Sequence, residues 1–206
     1  MTNIIIYFSY FFLILISILG YGVVIKSRFK YLTKENCFGY TGIIGIFFFT
    51  IYSYISNFLI PHNNLNNIIF ILLGIIFFIF FNKNRFQILK KEILHTLLIF
   101  LILSISILIF KSHDDFAYYH FPYSYYLIEQ KMIIGIGQIL QGFRTPSSIF
   151  YFNSLSYLPL AEYSLFNFFP VYILGFSNLI LLKKILVINS KPSNLNYLSL
   201  LVFIFI

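Results

Sequence analysis

FGYTGIIGIFFFTIYSYISNFLI, residues 38–60, runs for twenty-three residues without a charged side chain. As an α-helix it would be about 35 Å long, enough to cross a hydrocarbon core near 30 Å. A segment alone in lipid must satisfy its own backbone hydrogen bonds, so the stretch is expected to be helical. It also lacks the ten-residue alternation of a barrel strand.

Segments of the same kind lie near 3–25, 68–81, 93–110, 163–182 and 195–206. About six spans are therefore expected in a single membrane domain over 1–206. The long interruption at 111–158, after the fourth span, is expected to be a loop. Composition agrees: 60% of the 206 residues are hydrophobic and 10% are charged, where a soluble domain carries about 25% charged residues. Mean hydropathy is +0.89. The fold class is all-α, polytopic and transmembrane. The start, MTNIIIYFSYFF, lacks a basic leader region and reads as a retained first span rather than a removed signal peptide. The last apolar segment has about twelve residues, too few to cross a bilayer. Either it is a partial helix, or the chain is the amino-terminal part of a longer protein.

Charge placement gives orientation. Eleven of the fourteen Lys and Arg follow the first, third and fifth segments: Lys26, Arg28, Lys30, Lys34, Lys83, Arg85, Lys90, Lys91, Lys183, Lys184 and Lys191. Only Lys111, Lys131 and Arg144 lie on the other side. The positive-inside rule puts the first group in the cytoplasm. The chain is thus expected in the cytoplasmic (inner) membrane, with its N-terminus and the 111–158 loop extracytoplasmic. The same distribution explains the net charge of +8 as topology signals beside anionic membrane lipid. Nucleic acid is not an expected partner, since no basic patch is interleaved with aromatics. Cys37, the single cysteine, cannot form an internal disulfide.

Polar chemistry gathers in KSHDDFAYYHFPYSYY, Lys111 to Tyr126, which holds both aspartates, two of the four histidines and five of the seventeen tyrosines. Asp115 and Tyr119 stand four apart and would share a helix face. Pro122 breaks or starts a helix. A pair of aspartates in a loop is commonly a solvated helix cap. Here the surrounding histidines and aromatics, and the scarcity of other charge, favour a site. His113, Asp114, Asp115 and His120 carry the donor atoms for a divalent cation, without a recognised spacing. His62 and His95 read as interfacial or packed residues. No serine or cysteine has the setting of a nucleophile.

Further on, GIGQILQG, Gly135 to Gly142, resembles a nucleotide loop only in outline, with no strand–helix context. Arg144 has the planar fork that suits phosphate, or it snorkels to the interface; the sequence supports both equally. Glu162 is a second acid or a plain interfacial residue, and Glu129 fits the latter.

DFAYYHFP, Asp115 to Pro122, reads as D-x-x-x-Y-H-x-P beyond a membrane segment. It resembles a pattern in bacterial polytopic membrane proteins that look like the GT-C superfamily of glycosyltransferases. In that superfamily an acidic residue on an early extracytoplasmic loop is catalytic, and the donor is a sugar on a polyprenyl phosphate or pyrophosphate. The resemblance implies Asp115 as base, Asp114 in support, Tyr119 and His120 shaping the site, and Arg144 holding phosphate. It covers about eight residues plus topology. The motif here follows the fourth segment rather than the first, and GT-C enzymes have eight spans or more. Part of the active site is therefore expected outside this chain. The rival reading is a transporter or lipid-linked glycan flippase, with no enzymatic activity. Transporters place charged or broken-helix sites near the midplane, and no segment here has a clear buried charge.

Overall fold

A computed structural model describes residues 2–29, 37–82, 86–107, 114–138, 141–144, 146–166, 168–186 and 193–205. The described chain is helical and contains no strand beyond an isolated Leu158–Glu162 bridge. The long helices are α1 (Thr2–Arg28), α2 (Phe38–Leu59), α3 (Asn64–Asn82), α4 (Phe86–Ile107) and α7 (Phe168–Leu186). Two short ones, α5 (Phe121–Glu129) and α6 (Ser148–Leu155), fall between α4 and α7, and α8 is Asn194–Phe205. Among the described residues, four stretches are long and apolar enough to cross a membrane: Ile4–Arg28, Phe38–Leu59, Asn64–Asn82 and Tyr163–Leu186. The segments expected at 93–110 and 195–206 lie partly in α4 and α8, but neither helix belongs to that set. Residues 108–110 and 206 fall outside the described chain.

Helix starts follow local chemistry rather than hydropathy. Asn63 Oδ1 accepts from Asn66 N at 3.0 Å, the bond of an N-cap side chain to an orphan amide. The asparagine-rich stretch at 64–67 therefore forms the first turn of α3. The span expected at 68–81 lengthens accordingly. α4 likewise begins before 93, because Lys90, Lys91 and Glu92 are good helix formers. The start of the apolar run there does not mark the start of the helix.

α1 lies against α2 and α3, α2 against α7, and α7 against α4 and α8. The core is aromatic. Phe11 stacks on Tyr172 with centroids 5.1 Å apart, and Tyr52 stacks on Phe70 at 3.8 Å. Buried phenols find backbone acceptors: Tyr172 donates to Phe11 O at 2.9 Å and Tyr21 to Phe70 O at 2.8 Å. Without those bonds each hydroxyl would carry a desolvation cost in an apolar interior. Leu72, Leu73, Ile76, Ile79 and Phe80 of α3 are exposed, as are Leu97, Leu98, Leu101 and Ile102 of α4. Such faces suit lipid and not water.

The bundle has two distinct ends. At one, Glu92 Oε2 accepts from Phe38 N at 2.8 Å and Oε1 lies 3.7 Å from Lys183 Nζ. One carboxylate thus caps α2 and joins α2, α4 and α7. The opposite end carries residues 114–166. Among its described residues, the segment expected as a loop at 111–158 contains helices. Within it, α5 and α6 pack together over a second core of Tyr123, Leu127, Phe143, Phe150 and Tyr151. Pro122 is the second residue of α5 and follows the helical turn 116–120 without a break. Ser147 caps α6 by accepting from Ile149 N at 3.4 Å. Five buried apolar and aromatic side chains supply what a solvated loop would lack. We call this unit the cap.

Candidate functional site

The DFAYYH stretch forms the entry to the cap. Asp114 and Asp115 are helical, and Phe116–His120 is a π-helical turn leading into α5. Phe121 N donates to Phe116 O, five residues back. Pro122 has no amide hydrogen to continue a regular ladder, which accounts for the wider turn. Asp114 is exposed and Asp115 half-buried. The Tyr119 hydroxyl donates to Asp115 Oδ2 at 3.4 Å, realising the shared face expected from the spacing. Desolvation and the Asp115 carboxylate push the Tyr119 phenol up, so it stays a neutral donor at physiological pH. His120 is half-buried, its ring 4.4 Å from Tyr119 and 5.0 Å from Phe150. Tyr118 is 81% exposed. His113, a candidate metal ligand, lies outside the described residues. Among those described, no group of three or more His, Cys, Asp or Glu is placed to hold a metal ion.

Arg144 arrives from the far side of the glycine-containing run. The 3₁₀ turn Gln141–Phe143 rests on the π turn, and a Cβ on Gly142 would come within 2.9 Å of Tyr119 Cβ. Only glycine fits that approach without something moving. Arg144 follows directly, and its Nε donates to Gly137 O at 3.1 Å. The side chain lines an open cleft of about 530 Å³ with Tyr123, Met132, Ile134, Phe143 and Tyr151. Asp114 and Asp115 do not line this cleft. The structure therefore joins Tyr119 to the Arg144 turn, but sets the carboxylates beside the cleft rather than in it.

Tyr151 is held by a hydrogen bond to Met132 Sδ and lies 3.2 Å from the Tyr123 hydroxyl. Burial pushes both phenols up, so the cleft presents neutral hydroxyls and one guanidinium. That combination can hold an anion against an aromatic wall. Glu129 and Glu162 are exposed and line no part of it. Glu162 sits at φ 46°, closing a turn with its amide on Leu158 O at 2.7 Å. Burial, followed by Glu162, Tyr125 and Glu129, raises the Tyr157 phenol.

One polar cluster escaped the sequence reading. His62 is fully buried, with Nε2 2.8 Å from Ser56 Oγ and Nδ1 2.7 Å from Ser154 Oγ. Asn67 Nδ2 donates to His62 O, Ser154 O and Tyr157 O. Asn57 Nδ2 donates to Leu127 O at 2.7 Å. These bonds fasten α5 and α6 to the α2–α3 connection. In the sequence, His62 reads as either interfacial or packed, and nothing in PHNN names its partners.

These features define a helical protein with four membrane-length helices and an aromatic cap bearing an arginine cleft. The chain belongs to the family described as a domain of unknown function, DUF8201, which it matches over residues 1–206. No curated protein and no solved structure matches it.

Proposed function

We propose that this chain is the membrane part of a GT-C-like glycosyltransferase. It would sit in the cytoplasmic membrane with about six spans, its N-terminus and cap on the extracytoplasmic side. The donor is a sugar on a polyprenyl phosphate, drawn from the membrane lipid. Asp115 takes the proton of the acceptor hydroxyl as general base, with Asp114 in support and Tyr119 and His120 shaping the pocket. Arg144 offsets charge on the departing phosphate. What carries the reading is the seat of Gly142 on Tyr119. It sets the Arg144 turn against the carboxylate-bearing turn across more than twenty residues of sequence.

The test is binding of a polyprenyl-phosphate analogue to the chain and to Arg144→Lys. Lysine keeps the charge but loses the bidentate fork, so affinity should fall roughly tenfold or more. Equal binding by both forms would remove the phosphate role.

Orientation has its own check. Glu129 and Gln141 are exposed on the cap. Cysteines placed there, in a Cys37→Ser background, should react with an impermeant thiol reagent in intact cells. Serine keeps an oxygen to replace the Cys37 sulfur that accepts from Gly39 N. Labelling only after lysis would reverse the topology.

A further inference from the structure

The cap carries apolar side chains where a soluble surface would not. After α5 the chain turns through Gln130–Gly135, and Gly135 takes a φ of +89°, a conformation that suits glycine. The turn presents Ile133 and Ile134, 49% and 83% exposed. Its height is fixed by backbone bonds. Met132 N donates to Asn57 O at 3.0 Å, and Asn57 Nδ2 reaches Gln130 O at 3.5 Å. Asn57 lies two residues before the end of α2, about 3 Å along the axis. At that same level Phe58, Leu59 and Ile60 are 49%, 66% and 47% exposed. The two isoleucines thus extend the apolar surface on which a membrane-length helix ends.

Cations stand beside this surface. Lys131 opens the turn and Arg144 lies across the cleft, both exposed. Lys and Arg at such a height reach lipid phosphates while their stems lie along apolar surface.

We propose that the Lys131–Gly135 turn is a membrane-seated tip. Ile133 and Ile134 lie among the acyl chains of the leaflet in which α2 ends, and Lys131 and Arg144 lie at its phosphate plane. The cleft, lined by the same turn and Arg144, then opens onto that plane. The inference rests on α2 being a span, and not on sugar transfer.

The sequence has no tryptophan, so Ile134→Trp creates a single probe at a position that is exposed and tolerant of size. Ile55→Trp, on the exposed face of α2 (60% exposed), serves as the reference for the span. Both variants of the full chain go into phosphatidylcholine–phosphatidylglycerol vesicles containing phospholipids brominated at graded depths. Ile134→Trp should emit to the blue of aqueous tryptophan. It should lose most of its intensity to bromines about 5–10 Å below the headgroup boundary, and resist aqueous iodide. Quenching by iodide and not by bromolipid would put the turn in water and overturn the tip. Blue emission with neither quencher effective would mean that protein covers it, and would overturn the tip equally. If Ile55→Trp is quenched by bromolipid while Ile134→Trp is not, the tip fails and the span stands. If neither is, both fall.

Discussion

Asp115→Asn is expected to abolish sugar transfer by the membrane-embedded protein, while leaving insertion and donor binding intact. Asparagine keeps the shape of the carboxylate. Its Oδ1 can still accept from the Tyr119 hydroxyl, which now bonds Asp115 Oδ2 at 3.4 Å. The π turn, set by Pro122 and the Phe121–Phe116 backbone bond, does not depend on the charge. What disappears is the ability to take a proton, and losing a general base costs about 10²–10⁴-fold in rate. Asp114 is exposed, one residue earlier, so Asp114→Asn should cost less if it only supports the site. If both carboxylates hold a cation, the two variants should be comparable and a chelator should mimic them. Tyr119→Phe preserves the ring against Phe150 and Gly142 and removes only the hydroxyl. It should therefore alter rate modestly and leave donor affinity unchanged. Transfer by Asp115→Asn at the normal rate would end the assignment, returning the pair to an ordinary cap on a helix start.

Four of the expected apolar runs coincide with helices long and apolar enough to cross a membrane among the described residues, because hydropathy reports affinity for lipid directly. Their boundaries were less legible. Asn63 caps α3 through its own side chain, and a capping bond does not register in hydropathy. The helices of the cap are not legible in the sequence for a different reason. Its stability comes from contacts distant in sequence: Tyr54 on Tyr151, His120 on Phe150, Tyr123 on Phe143. Nothing in the local pattern of YYHFPYSYY or TPSSIFYF says which rings will meet. Of the site, the Asp115–Tyr119 pairing was legible because it needs only helical spacing. The setting of Arg144 was not. It depends on Gly142 meeting Tyr119, a tertiary coincidence that one sequence cannot display. Tyr119 touches both the Asp115 carboxylate and the turn before Arg144, while Asp115 does not line the cleft.

The buried His62 node carries the largest stability prediction. Ser154 Oγ donates to Tyr151 O at 2.8 Å, so it accepts from His62 Nδ1–H. Ser56 Oγ then donates to Nε2, and the ring is the neutral Nδ1–H tautomer with both nitrogens engaged. Protonation would place a second N–H against a serine whose other acceptor, Ser53 O, is 3.4 Å away. Burial, opposed only in part by the Ser53 backbone carbonyl as an acceptor, pushes the imidazole down to about 3. The unfolded chain binds this proton near the ordinary value of about 6.5. Between those values the unfolded state holds more protons than the folded one, so stability rises with pH across the window. The contribution is complete above about pH 6.5 and is lost as pH falls, by about 1.4 kcal/mol per unit. From pH 6.5 to 5 the loss should approach 2 kcal/mol, before the carboxylates begin to titrate. The measurement is unfolding in mild detergent across this range, for the wild type and His62→Gln. Glutamine bonds the same serines without titrating, so it should be less stable at pH 7.5 yet nearly flat down to pH 5. The wild-type slope minus the variant slope isolates His62 from His95, His113 and His120. Because His62 fastens α5 and α6 to the α2–α3 connection, amide exchange at His62 and Met132 should rise with acid in the wild type beyond the intrinsic rate change. A His62→Gln protein with the full wild-type pH slope would show that the acid sensitivity resides in other groups.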